Sequence, residues 1–270
     1  MNNLVQRTIS GIVYLVIIIG SLFLGEYAFG ALFLAICLLA ITEFFNISGY
    51  NAFDEVSVTG LASGAVTFIL SFLCASGVLD SRYAVVIAIV PVSFLIAGLY
   101  IQKDPVGKIF SLFAGFFYIA LPLAMTNILV FPAVNAHYYT HRIFLGLLIL
   151  IWINDTGAYV SGMLFGKHRL FPRISPKKSW EGFAGGTVFT LISAFFMTRL
   201  MGILNQTDWI ILAVVVSVFG VYGDLAESLI KRNAKVKDSG TIIPGHGGIL
   251  DRFDSMLFVV PVSVIYLLIT

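Results

Sequence analysis

Apolar residues run along this chain in long blocks with little polar interruption, and the blocks recur at a similar length. Helices of soluble proteins alternate apolar and polar faces. A run of about 18–20 apolar residues instead matches the ~30 Å hydrocarbon core of a bilayer. By that rule the chain offers about nine spans, approximately Ile9–Leu24, Tyr27–Ile47, Val56–Leu79, Tyr83–Ile101, Ile109–Phe131, Ile143–Phe165, Gly182–Leu200, Trp209–Ile230 and Ile249–Ile269. The runs lack two-residue alternation, which excludes a β-barrel. Pro122 interrupts the fifth span, and Pro91 and Pro261 fall inside others. Membrane helices tolerate such prolines where neighbours satisfy the freed carbonyls. The first run follows Arg7 as a signal peptide's would, yet no small-x-small cleavage site comes before Glu26 and Tyr27. It reads as a retained first helix. The expected fold class is all-α, a polytopic integral membrane protein with about nine transmembrane helices.

Composition agrees with the pattern. Hydrophobic residues make up 59% and charged residues 11%, with a mean hydropathy of +0.99. A soluble domain carries roughly 25% charged residues, so this chain has too few to cover a surface in water. Cys37 and Cys74 lie inside apolar runs without metal-like spacing and read as small buried hydrophobes. The net charge of +2 says little, but its placement says more. Arg7, Lys103, Lys108, Lys167, Arg169, Arg173, Lys177, Lys178, Lys231, Arg232, Lys235, Lys237 and Arg252 fall on one side of the nine spans, against Arg82, Arg142 and Arg199 on the other. Thirteen against three puts the first side in the cytoplasm. The protein is expected in the cytoplasmic (inner) membrane, multi-pass, with its N-terminus inside and its C-terminus outside.

The chain divides into unequal halves. Residues 1–140 read as a lipid-facing scaffold, and residues 141–270 hold most of the charge and the candidate chemistry. Charged groups inside a span cost about 2.5–3.5 kcal/mol each and usually mark a site. Span six carries Asn154 and Asp155, span eight Asp224 and Glu227, and span nine opens with Asp251 and Asp254. Given the alternating direction of the spans, all of these acids fall at the cytoplasmic end. Three-residue spacing puts each acidic pair on one helix face. Paired carboxylates on facing helices suit Mg²⁺, a hard cation that shares its coordination with phosphates. Any one acid alone reads equally well as a structural ion pair, for example Glu227 with Lys231.

Two basic loops adjoin these acids. Loop eight–nine carries Lys231, Arg232, Lys235 and Lys237, then Pro244-Gly245-His246-Gly247-Gly248. Its glycines permit positive φ and close backbone approach, and its amides, leading into a helix N-terminus, form a natural phosphate cradle. A plain tight turn beside a topology signal is the bland alternative. Loop six–seven carries five basic residues and ends in Ser175-Pro176-Lys177-Lys178-Ser179-Trp180-Glu181-Gly182. It could simply bind anionic headgroups, and Ser179 could be the N-cap of span seven.

Taken together, Ser228-Leu229-Ile230-Lys231-Arg232, Lys237-Asp238-x-Gly240 and Pro244-Gly245-His246-Gly247-Gly248-Ile249-Leu250-Asp251-Arg252-Phe253-Asp254 resemble the signature of phosphatidate cytidylyltransferases, the CDP-diacylglycerol synthases. Asn154-Asp155-Thr156-Gly157-Ala158-Tyr159 and the Ser175–Gly182 segment are similar to the same family, where the position of Ser179 is often Thr. The resemblance implies transfer of the cytidylyl group of CTP to phosphatidic acid, giving CDP-diacylglycerol and pyrophosphate. It further implies Mg²⁺, a possible monovalent cation such as K⁺, and a homodimer embedded in the lipid bilayer. No nucleic-acid partner is expected.

In this reading Asp224 and Asp251 hold the divalent metal, with Asp254 and Asp155 beside them. Lys231, Arg232, Lys237 and Arg252 clamp phosphates, with Asp238 and His246 in the same catalytic group. Ser175, Lys177, Lys178, Ser179, Glu181, Asn154, Gly245, Gly247 and Gly248 contact substrate. A transporter with buried acids is the main rival, but inverted repeats with broken helices are not visible. A CDP-alcohol phosphotransferase would space its acids four apart, which the three-residue step from Asp251 to Asp254 does not match.

Overall fold

The computed structural model describes residues 3–132 and 138–270. Ten α-helices follow in order: α1 (Asn3–Leu24), α2 (Glu26–Ile47), α3 (Glu55–Ala75), α4 (Val90–Gly98), α5 (Pro105–Gly115), α6 (Leu121–Val130), α7 (Arg142–Phe165), α8 (Trp180–Met201), α9 (Gln206–Asn233) and α10 (Leu250–Ile269). All nine expected spans fall on helical segments. Among the described residues, eight segments are long and apolar enough to cross a membrane, and α1 adds the shorter apolar stretch Thr8–Leu24. The chain is an all-α polytopic membrane protein.

Prolines account for the two irregular spans. Pro122 has no amide hydrogen to donate into the preceding turn, and the segment joining α5 to α6 widens there into a π-helical turn, Phe116–Ala120. The fourth span opens as a 3₁₀ stretch, Ser81–Ile89, and becomes α-helical where Pro91 occupies the first turn of α4. Loop six–seven also departs from a plain basic loop. It forms a two-stranded antiparallel ribbon, β1 (Arg169–Phe171) and β2 (Ser175–Ser179), pairing Arg169 with Ser179 and Phe171 with Ser175.

The chain folds as two compact units, one of Met1–Thr140 with Val236–Arg252, the other of His141–Lys235 with Phe253–Thr270. In the first unit α2, α3 and α6 pack through buried aromatic residues such as Phe33, Phe45 and Phe68. Polar side chains lock this packing: Ser71 Oγ donates to the Ala124 carbonyl at 2.8 Å, and Asn127 Nδ2 to that of Phe68 at 3.3 Å. In the second unit α7 and α8 run in close contact because α8 presents glycines to α7. A Cβ on Gly186 would come within 2.9 Å of the Asn154 carbonyl, and one on Gly182 within 2.8 Å of that of Ala158. Without a hydrophobic driving force between helices in lipid, such small-residue contacts carry association. A capping box of Asn205 and Asp208 starts α9, and Tyr266 of α10 donates to Asp208 at 2.8 Å.

Candidate active site

Within the second unit the acids meet where α9 and α10 touch. Gly223 makes this contact possible: a Cβ there would fall on the Asp254 carbonyl and lie 3.0 Å from the Ser255 Cα. The next residue on α9 is Asp224, and Glu227 follows one turn later on the same face. One carboxylate oxygen each from Asp224, Glu227 and Asp254 lie within 4.8 Å of one another. Asp155 of α7 and Lys178 of β2 lie within electrostatic reach of Asp254.

The cluster holds more negative than positive charge. Lys178 Nζ pairs with Asp224 Oδ2 at 2.5 Å, and Lys231 Nζ pairs with Glu227 Oε2 at 2.5 Å, one turn along α9. Ser228 Oγ adds a bond to Asp224 Oδ1 at 3.2 Å, and the Ser255 amide donates to Asp254 Oδ1 at 2.6 Å. Four carboxylates, counting Asp155, thus face two ammonium groups. An all-oxygen donor set with surplus negative charge fits a hard divalent cation such as Mg²⁺.

Beside the cluster lies a cavity of about 480 Å³. Asp155, Asp224, Arg169, Lys177 and Lys178 give its lining charge, and Tyr159, Met163 and Phe183 give it apolar surface. The ribbon shapes this lining. Ser179 is the N-cap of α8, accepting from the Gly182 amide at 3.1 Å, so the capping alternative for this residue is realised. Glu181 accepts from the amides of Lys167 and His168 and meets His168 Nδ1 at 2.6 Å, closing the base of the ribbon. Asn154 is buried and lines the same cavity, with its side-chain oxygen accepting from Thr190 at 3.3 Å. Ser175 opens β2 opposite Phe171, and Arg232 is exposed near the end of α9.

The remaining expected residues belong to the first unit. Gly245 and Gly247 take φ of 78° and 88°, values that L side chains rarely adopt. They fold Ile243–Gly247 into a tight turn closed by the Ile243 amide on the Gly247 carbonyl at 3.0 Å. His246 Nδ1 lies 2.8 Å from Ser10 Oγ, which donates to the Pro244 carbonyl at 2.9 Å. Lys237, Asp238, His246, Arg252 and the two glycines surround a second cavity of about 550 Å³. Asp251 is buried, and its Oδ2 accepts from the Ser239 amide at 2.9 Å, the Ser239 hydroxyl at 3.1 Å and the Gly248 amide at 2.7 Å. Asp224 and Asp251, paired by the sequence reading, therefore fall in different units.

Glu43 went unnoticed in the sequence. It is 4% exposed near the C-terminal end of the apolar helix α2, and its carboxylate accepts from the Ile249 amide, the Leu250 amide and the Ser239 hydroxyl, at 2.9, 2.9 and 2.8 Å. The rule that an ionisable group inside a span marks a site would have found it. Glu227, named in the sequence as the neighbour of Asp224 and a partner for Lys231, enters the cluster as a full member.

Residues 5–270 match the Cytidylyltransferase family. The chain belongs to this family. Among its curated relatives, a phosphatidate cytidylyltransferase of Staphylococcus haemolyticus is 34% identical over 267 residues, covering 97% of this chain and 98% of the relative. Its namesakes in Staphylococcus aureus and Staphylococcus epidermidis are 35% and 32% identical over 271 and 268 residues, with the same coverage. Within the matched residues, Asp155 of α7 and Asp224 of α9 line the first cavity and the glycine turn lines the second.

Proposed function

We propose that the chain transfers the cytidylyl group of CTP to phosphatidic acid, giving CDP-diacylglycerol and pyrophosphate. The observation that carries this reading is the three-carboxylate cluster beside an amphipathic cavity, in a chain that belongs to the cytidylyltransferase family. Its relatives named phosphatidate cytidylyltransferase align over nearly its whole length.

An oxygen of the lipid phosphate attacks the α-phosphorus of CTP. The bond from that phosphorus to its β-bridging oxygen breaks, and pyrophosphate leaves with the electron pair. The lipid phosphate is already anionic near neutral pH, so no general base is required. The obstacle is the approach of two polyanions, and positioning with charge neutralisation removes it. Asp224, Glu227 and Asp254 would hold the divalent cation, with Asp155 close by. When bound, this cation neutralises phosphate oxygens and stabilises the departing pyrophosphate. Lys177, Lys178 and Arg169 in the cavity's lining gather the anions, while its apolar residues Met163 and Phe183 suit a lipid. Asp251, counted as a ligand on sequence grounds, acts here through its hold on Ser239 and Gly248, and so on the turn that carries His246 between Lys237 and Arg252. The site faces the cytoplasm, where CTP is made.

Purified protein given CTP, phosphatidic acid and Mg²⁺ should form CDP-diacylglycerol and pyrophosphate in equal amounts, and chelation should stop both. Asp254→Asn should reduce turnover by about a hundred-fold or more. Product formation that ignores chelator and this substitution would overturn the reading.

A further inference from the structure

Glu43 stands out as a buried carboxylate inside a membrane helix, far in sequence from every motif residue. Among the described residues, its hydrogen-bond donors all belong to the signature segment: Ser239 Oγ, and the backbone amides of Ile249 and Leu250. Those amides lie at the start of α10, where the first turn leaves its N–H groups without intrahelical partners. A carboxylate there satisfies two such donors and meets the positive end of the helix dipole. The fit is close. A Cβ on Gly240 or Gly248 would collide with the Glu43 carboxylate, so these glycines give the side chain its room. Ser239 links Glu43 to Asp251. Its hydroxyl lies 2.8 Å from Glu43 and 3.1 Å from Asp251, while its amide donates to Asp251. Two buried carboxylates from distant parts of the sequence therefore grip one segment at both ends of the glycine turn.

We infer that Glu43 is a positioning residue for the reaction: by holding Ser239, Ile249 and Leu250 it fixes the turn that presents Lys237, His246 and Arg252 around their cavity. This rests on the proposed function. An ionisable group in this position is expensive, and a scaffold helix that only needed packing would carry leucine or phenylalanine here. Glu43 reaches the chemistry only through the backbone of the turn, so its loss should alter the handling of the anionic nucleotide more than the fold.

Full-length protein in lipid nanodiscs carrying Glu43→Gln, Glu43→Asp or Ser239→Ala separates the possibilities. Glu43→Gln should raise KM for CTP about ten-fold or more, with the unfolding midpoint close to wild type. Amide exchange over residues 239–250 should speed up by about ten-fold. Glu43→Asp keeps the charge and should recover part of the loss, and Ser239→Ala should move KM in the same direction by less. Should Glu43→Gln not fold, the other two variants still decide. A KM for CTP that stays at the wild-type value, with turnover falling only in proportion to the folded fraction, overturns the inference. So does unchanged amide exchange. If the wild type itself makes no CDP-diacylglycerol, the proposed function fails instead, and the exchange arm still tests the hold on the turn.

Discussion

Lys231 and Glu227 bury opposite charges one turn apart on α9, with side chains 11% and 1% exposed. The sequence allowed Lys231 two roles, a phosphate clamp or a partner for Glu227, because spacing alone cannot say whether a lysine head leaves or enters a protein. In the structure its Nζ meets Glu227 Oε2 at 2.5 Å. A buried pair is weak evidence for stability as such, yet removing one member leaves an uncompensated charge at a cost of about 3–5 kcal/mol. Lys231→Met should therefore lower stability by about 3 kcal/mol or more, and adding Glu227→Gln should restore most of it. Unfolding in detergent measures both. The double variant should remain inactive, since Glu227 belongs to the acid cluster. Equal stability of the single and double variants would show that the two charges do not depend on each other. Glu43 makes the complementary point about what a sequence displays. Its donors are mostly backbone amides, which carry no side-chain identity to match against, so no motif signalled the contact.

Helices were the most legible feature, because a span needs only length and apolarity and both are written in the chain. The irregular stretches were less so. Pro122 was visible, but whether a helix bends, breaks or widens around it depends on neighbours, and here it widens into a π turn. The β1–β2 ribbon was hidden by its composition: Arg169–Phe171 and Ser175–Ser179 are too short and too basic to show alternation. What positions the acids was legible only in part. Three-residue spacing put Asp224 and Glu227 on one face, but the meeting of α9 with α10 rests on Gly223, one glycine among 25 in the chain. Gly223→Ala tests that contact. The added Cβ would force the two helices apart at Asp254, and a displacement near 1 Å in a reacting site can cost about a hundred-fold. CDP-diacylglycerol synthesis should fall by about that factor while the protein still extracts and elutes as wild type. Near-normal turnover would show that the cluster tolerates a looser crossing.

At the scale of the whole molecule, the first unit takes the residues up to Thr140 and also the distant segment Val236–Arg252. Side chains such as Glu43 and Ser10 draw it there, and they act across more than 190 residues. The orientation of these spans in the bilayer rests on charge asymmetry, which gives a direct expectation. The native thiols are buried at Cys37 and Cys74, so an impermeant maleimide should leave wild-type protein in sealed vesicles unlabelled. Ser175→Cys on the ribbon should then be labelled only from the cytoplasmic face, and Thr270→Cys at the end of α10 only from the opposite face. The two sites are separated by three helices, α8, α9 and α10, each long enough to cross the membrane. An odd number of crossings requires opposite sides. Labelling of both from one face would mean that α8, α9 and α10 do not all span, and the charge-based orientation would fall with them.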